Sequence, residues 1–209
     1  MPAADSPPDR YTYDPGDPTP APSCLNTTQS RRYLGKGLED LDLRQACHEK
    51  ISRSRRDILV YTSEPLTKPF TFAGPIEGIL YASSSGRDTD WFMRHIEEDK
   101  KGRLFELVEG KIRARYRLST KKAVFLNPGE VYKYDIDMWQ TGITIPVGHR
   151  LRVEVASASF PVFSRNLNTG GHNEKDTDYI SAEQTIYHNA KYPTHILLPV
   201  IPDADEPKS

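Results

Sequence analysis

Residues 127–171 read NPGEVYKYDIDMWQTGITIPVGHRLRVEVASASFPVFSRNLNTGG, and this stretch decides the fold class. After the turn at Asn127–Glu130, apolar residues alternate with Lys and Asp along Val131–Trp139. A second alternating run covers His149–Val155, and a polar loop rich in Asn and Gly closes the stretch. Because alternation with period two gives a strand one buried and one solvated face, the pattern predicts antiparallel β-structure rather than helix.

The rest of the chain has the same rhythm of short apolar, β-branched runs separated by Gly, Pro and Asp. Further strands are predicted at residues 57–62, 76–82, 104–108, 111–118, 124–126, 185–188 and 194–200. Residues 88–96 fit a strand or a helix, and Lys101–Gly102–Arg103 is typical of a hairpin turn. About ten short strands without a helix of crossover length predict an all-β sandwich or barrel.

The length and charge of the chain limit the classes of protein to which it can belong. At 209 residues the chain is long enough for one domain with a substantial core. Its 28 basic and 29 acidic residues are mixed, so neither a nucleic-acid-binding stripe nor an acidic tail is present. No apolar run approaches the roughly 20 residues of a membrane span. The first ten residues lack an apolar secretory segment, and we therefore expect a cytoplasmic protein without membrane partners.

Three regions follow from the composition: an N-terminal segment at 1–56, a sandwich at 57–201 and a tail at 202–209. Seven of the 17 prolines lie in residues 1–23, which favours an extended linker or loop over a strand. Leu38, Leu41 and Ala46 fall near one face of a predicted short helix within residues 38–47. Cys24 and Cys47 are the only cysteines. A disulfide between them would close a loop of about 23 residues, but without a secretory signal we expect them to stay reduced.

The motifs of common active sites are missing. The Gly-x-Ser-x-Gly turn of α/β-hydrolases does not occur, and neither does the His-Glu-x-x-His pattern of zinc proteases. Asp88 and Asp90 lie two residues apart without a matching calcium loop, so we assign them turn and strand-entry roles. His172, beside Gly170–Gly171, is the best candidate for a functional histidine. The sequence therefore predicts no catalytic residue, no metal ligand and no cofactor.

Aromatic residues are frequent in the second half of the chain, and exposed rings are what a carbohydrate-binding sandwich uses to stack sugars. Most of these rings alternate with charged residues, a pattern typical of a core. Trp91 and Trp139 are the residues on which a sugar-binding role would depend.

Several segments, in order, resemble the C-terminal domain of the CocE/NonD hydrolases, a family with X-Pro dipeptidyl-peptidases and cocaine esterase-like acyl esterases. The similarity covers roughly residues 57–200. Each segment alone is short, but the ordered set is specific. The segments are Asp57–Leu66, Gly74–Ile76, Leu80–Ser84, Asp88–Trp91, Gly110–Arg117, Pro128–Tyr132, Gly148–Val153, Phe160–Pro161, Arg165–Asn166 and Asn168–Gly170.

The resemblance implies a jelly-roll β-sandwich, similar to galactose-binding domains, that packs on an α/β-hydrolase domain and helps to wall its substrate pocket. The family's catalytic serine, histidine and aspartate belong to that other domain, so none is transferred to this chain. The loop after the last long strand is the candidate binding site, with Arg165, Asn166, Asn168 and His172.

Tyr11–Pro18 resembles a segment that follows the first strands of the family's sandwich, so we expect the chain to begin partway through that sandwich. A sandwich of this kind has an unpaired edge or an exposed apolar patch. We therefore expect association with the hydrolase domain or with a further copy of the chain.

Three hypotheses follow. The first is a non-catalytic domain of a CocE/NonD-like serine hydrolase. The second is a free-standing module that binds carbohydrates or other ligands, and the third is a truncated gene product without an independent role. An enzyme assay on the chain, a glycan-binding assay and a test for cooperative melting distinguish them.

Overall fold

The computed structural model describes residues 5–22 and 38–202, and within them two antiparallel sheets face each other as a β-sandwich. One sheet has the strand order β1-β8-β3-β6, with β9 also paired to β3, and the other has the order β2-β7-β4-β5. One helix and one 3₁₀ turn complete the described structure. The elements are β1 (Asp9–Tyr13), α1 (Leu38–Ser54), β2 (Leu59–Thr62), β3 (Phe70–Ser84), β4 (Asp90–Glu98), β5 (Leu104–Arg113), the 3₁₀ turn (Ala114–Tyr116), β6 (Tyr132–Ile145), β7 (Arg150–Ala156), β8 (Ala182–Tyr187) and β9 (His195–Leu197).

The alternating run that predicted the fold forms β6. Tyr134, Ile136 and Met138 are fully buried between the sheets, whereas the intervening lysine and aspartates face solvent. The second run forms β7, which lies in the opposite sheet between β2 and β4. The prediction of a two-layer antiparallel β-fold is confirmed.

The ambiguous residues 88–96 belong to strand β4, and a tight turn joins β4 to β5. Gly102 adopts a φ of +78°, which a residue without Cβ reaches at little cost. The Asp99 carboxylate accepts hydrogen bonds from the backbone N–H groups of Lys101 and Arg103 at 2.8 and 3.0 Å. The turn predicted at Lys101–Arg103 is therefore confirmed.

The Pro-rich N-terminal region contains a strand that the composition argued against. Asp9–Tyr13 forms β1 and pairs with β8 from Asp9–Ile186 to Tyr13–Ala182. Tyr11 and Tyr13 are buried while Arg10 and Thr12 are exposed, so this segment has the alternation of a half-buried strand. The prediction of a linker or loop was wrong here, because the prolines flank the strand and leave its five residues free to pair.

Helix α1 continues seven residues beyond the predicted end of the short helix, to Ser54. It covers the outer face of the β2-β7-β4-β5 sheet, where Ile51 packs against Ile58 and Ala156. Cys47 also packs against this cluster and is not a free thiol, so the expectation of a reduced cysteine is wrong for it. Cys24 and the tail residues 203–209 lie outside the described residues. No helix in the described ranges is long and apolar enough to span a bilayer.

His95 on β4 is a buried histidine in the sandwich core, with its ring centroid 5.5 Å from that of Phe72. Burial lowers its pKa from 6.5 to about 4. Since the folded pKa of His95 lies below its unfolded value, the fold requires the neutral imidazole. The stability that depends on the neutral form is fully present above pH 6.5 and is lost as pH falls toward 4. Over that window we expect His95 to lower the free energy of unfolding by about 3 kcal/mol.

Chemical denaturation of the wild type and of His95→Gln at several pH values between 7 and 4 measures this contribution. The difference between the two profiles isolates His95 from the carboxyl groups that titrate in the same range. His195→Gln is the matched control because His195 is exposed. Parallel profiles for wild type and His95→Gln would contradict the prediction.

Candidate functional site

The candidate site is the loop that follows β7, which contains Arg165, Asn166, Asn168 and His172. Asn166 and Asn168 are fully buried, and His172 is the one exposed residue among the four. The Arg165 guanidinium donates to the carbonyl of Pro15 and lies 5.8 Å from the ring centroid of Tyr179. The loop is therefore tied to the segment after β1 as well as to the sandwich.

Asn166 bridges two buried carboxylates at the start of β4. Its amide Nδ2 donates to Asp88 Oδ2 at 2.7 Å and to Asp90 Oδ1 at 2.8 Å. Arg115 Nε donates to Asp88 at 2.7 Å, and Arg113 donates to Asp90 through Nε at 2.9 Å and Nη2 at 3.0 Å. Two arginines and one amide thus compensate two buried charges, as burial of a charge requires. The strand-entry role predicted for the aspartates is confirmed.

Burial raises the pKa of Asp90, although Arg113 and Asn166 oppose that effect. A carboxyl group with a raised pKa beside a cavity is a general-acid candidate in principle. Here both carboxylate oxygens already accept hydrogen bonds from Arg113 or Asn166. The arrangement holds the loop against β4 and β5 and leaves no oxygen directed at a substrate.

Asn168 shapes the next turn of the loop. It adopts a φ of +62°, in the left-handed region that asparagine tolerates better than most residues. Its backbone N–H donates to Asn166 Oδ1 at 2.9 Å, and its Nδ2 donates to the carbonyl of Ile180 at 2.7 Å. Of the four predicted residues, two asparagines and Arg165 fix the loop, and His172 alone presents its side chain to solvent. Their role in binding stays a prediction.

Replacing Asn166 with alanine is expected to lower the free energy of unfolding by about 3 kcal/mol, because two buried carboxylates each lose a donor. Chemical denaturation measures the change. His172→Ala is a control from the same loop and should alter stability by less than about 0.5 kcal/mol, since that side chain is exposed. Equal effects of the two substitutions would contradict this role of Asn166.

A cavity of about 310 Å³ opens beside this loop, on the outer face of β4 and β5. The Lys111 ammonium lies 3.0 Å from the ring centroid of Phe163, and that ring contacts Phe92 at 5.6 Å between centroids. This grouping is not evident from the sequence, because Phe163 comes from the loop and Lys111 from β5. The alternation of Lys111 and Arg113 along β5 was the available signal that both share a face.

A serine, a histidine and an acid do meet in the structure, but not as a catalytic triad. His48 Nε2 lies 2.9 Å from Glu154 Oε2, and the Ser52 hydroxyl donates to Glu154 Oε1 at 2.7 Å. In a triad the serine donates to the histidine, which acts as its base. Here serine and histidine both contact the acid, and all three side chains are buried. The trio anchors α1 to β7.

The two tryptophans differ in their exposure to solvent. Trp91 is 0% exposed and belongs to the core, so it is not available to stack a sugar. Trp139 is 74% exposed and has a φ of +66° at an irregularity in the pairing of β3 with β6. Within the described ranges, no group of three or more His, Cys, Asp or Glu side chains has a geometry suited to a metal ion.

Comparison with known proteins gives a consistent result. Residues 2–197 match the family model described as the X-Pro dipeptidyl-peptidase C-terminal non-catalytic domain. Cocaine esterase from Rhodococcus sp. (strain MB1 Bresler) is 34% identical over 195 residues, which are 92% of this chain and 32% of that protein.

Solved structures agree with the sequence comparison. An aminopeptidase from a marine sediment Thaumarchaeota archaeon superposes with a TM-score of 0.81 at 31% identity, over 97% of this chain and 34% of that one. An α-amino acid ester hydrolase superposes with a TM-score of 0.78 at 25% identity, over 95% of this chain and 33% of that one. The chain thus spans about a third of the length of these relatives.

Proposed function

Because the chain belongs to the family of X-Pro dipeptidyl-peptidase C-terminal non-catalytic domains, we propose that it packs on an α/β-hydrolase domain and shapes its substrate pocket. The relatives are named as an esterase, an aminopeptidase and an ester hydrolase, and this chain corresponds to about one third of each. The substrate is therefore an ester or a peptide, and the chemistry belongs to the other domain.

The proposal rests on one observation: the buried polar side chains bind to other parts of the same chain and not toward a substrate. The buried carboxylates Asp88, Asp90 and Glu154 are each saturated by hydrogen bonds that fix a loop or α1. An acid or base in catalysis needs an oxygen or nitrogen directed at the reacting group. These groups instead make the sandwich and its loops rigid, which is what a supporting wall of a pocket requires.

A chimera tests the proposal. This chain replaces the C-terminal domain of the Rhodococcus cocaine esterase, and ester hydrolysis is compared with that of the esterase truncated before this domain. We expect the chimera to be at least about tenfold more active than the truncated enzyme, because correct positioning of a pocket wall affects catalysis strongly. A folded, soluble chimera with no more activity than the truncated enzyme would contradict the proposal.

A free-standing ligand-binding module is the second candidate, and the exposure of Trp139 favours it. Binding on a glycan array that Trp139→Ala abolishes would support this function over the first. The cytoplasmic location inferred from the sequence stays a prediction in both cases.

A further inference from the structure

We propose that two copies of this chain associate, with a basic loop of one copy seated in an acid-flanked groove of the other. The basic loop comprises residues 118–122, between the 3₁₀ turn and β6. The acid-flanked groove lies where β3, β6 and β9 meet, and its floor and rim include Glu77, Asp135, Asp137, Leu197 and Pro199. This contact does not depend on the proposed pocket-shaping role. It gives the chain a second partner, which is another copy of itself.

The acid-flanked groove has a volume of about 570 Å³ and combines negative charge with exposed apolar surface. Glu77 and Asp137 are direct cross-strand partners in the pairing of β3 with β6. Like charges in that position repel each other. Neither carboxylate forms a salt bridge with a described residue, whereas Asp135 is paired with Lys133 at 2.5 Å. Beside these acids, Leu197 is 49% exposed.

The basic loop carries the opposite charge and also exposes an apolar side chain. Leu118 is 72% exposed, which is unusual for so large an apolar side chain. Lys121 and Lys122 are exposed, and neither forms an ion pair with a carboxylate of the described residues. The base of the loop is fixed, because Arg117 donates to the carbonyls of Ala114 and Val124. The structure therefore presents Leu118 and two lysines on a short, anchored projection.

These two surfaces are complementary in charge and in apolar character, yet they do not pair within one copy. A lysine placed between Glu77 and Asp137 relieves their repulsion, and Leu118 covers the exposed side chain of Leu197. We therefore place the basic loop of a second copy in the acid-flanked groove. A small contact of this kind is transient and weakens as salt screens its charges. Two reciprocal contacts close a dimer, whereas a single contact leaves an open chain.

Sedimentation velocity over a range of protein concentrations tests the contact. We expect reversible self-association of the wild type that weakens at least about tenfold when salt rises from about 50 to about 500 mM. The double variants Lys121→Glu/Lys122→Glu and Glu77→Lys/Asp137→Lys should each remain monomeric. An equimolar mixture of the two should associate again, because the exchanged charges attract each other across the contact.

Lys50→Glu/Lys175→Glu is the matched control for Lys121→Glu/Lys122→Glu, since it makes the same change in net charge at two exposed lysines elsewhere. It should associate as the wild type does, and thermal melting checks that every variant is folded. A wild type that stays monomeric at the highest concentration would overturn the proposal. So would association that survives both charge reversals, equal weakening in the control, or a mixture that remains monomeric. None of these outcomes bears on the chimera experiment.

Discussion

Replacing Glu154 with alanine is expected to lower the free energy of unfolding by about 4 kcal/mol. Glu154 is fully buried and accepts hydrogen bonds from Ser52 at 2.7 Å and from Arg152 Nη2 at 2.9 Å, with His48 Nε2 at 2.9 Å. Removal of the carboxylate leaves Ser52 and His48 buried without their acceptor. It also takes one carboxylate partner from Arg152, which keeps Glu98, and from Arg94, which keeps Glu109. The cost is that of unsatisfied buried donors together with weakened charge compensation, and chemical denaturation at pH 7 measures it.

The control for this prediction is Glu64→Ala. Glu64 is paired with Arg150 at 3.9 Å, but its side chain is 97% exposed, so its loss should change stability by less than about 0.5 kcal/mol. A similar cost for the two alanine variants would contradict the assignment of Glu154 as the anchor of α1.

The same carboxylate gives the fold a distinct sensitivity to acid. Burial opposes ionisation of Glu154, but the hydrogen bonds and charges of His48, Ser52 and Arg152 outweigh it and lower its pKa from 4.5 to about 2. Because the folded pKa is depressed, this stability is present above pH 4.5 and is lost as pH falls toward 2. The pH range over which Glu154 titrates, from 4.5 to about 2, lies almost entirely below that of His95, from 6.5 to about 4, so one denaturation series separates the two groups.

The second large effect is expected for Gly110→Ala in β5. A Cβ at this position would lie 2.6 Å from the carbonyl oxygen of Asp137 and 2.7 Å from Cγ of Met138. The carbonyl belongs to the backbone of β6, so the two strands must separate to admit a methyl group. We expect a loss of about 3 kcal/mol, at the upper end of what overpacking usually costs.

Gly142→Ala in β6 provides the comparison, because its Cβ would lie no closer than 3.3 Å to Ala73. That substitution also restricts the unfolded chain, which favours folding slightly. Thermal melting of both variants measures the difference. If Gly110→Ala melted at the temperature of Gly142→Ala, the close approach of β5 and β6 would be refuted.

The sequence predicted those features that depend on local alternation. Val131–Val155 could be assigned to strands because buried and exposed side chains follow one another there. β1 was missed for the opposite reason: it has five residues between prolines, and its pairing with β8 joins segments about 170 residues apart. Pairing over such a distance leaves no signal in either segment alone.

The position of the candidate loop could be read from the sequence, whereas the burial of its asparagines could not, and the role of the loop in binding stays a prediction. Asn166 and Asn168 stand out in the sequence as polar loop residues, which suggested binding. Their burial follows from contacts with Asp88, Asp90 and Ile180, which are distant in sequence. Likewise, the meeting of His48 and Ser52 with Glu154 depends on how α1 lies on the sheet, and no local pattern encodes that.

The central claim is that this sandwich supports chemistry performed elsewhere, and an activity measurement on the purified chain tests it most directly. The chain is incubated with a nitrophenyl ester, an Xaa-Pro-nitroanilide and a fluorophosphonate probe that labels activated serines. We expect no turnover of either substrate and no labelled serine, including Ser52. Turnover that a serine-directed inhibitor abolishes, with a single serine labelled by the probe, would contradict the claim.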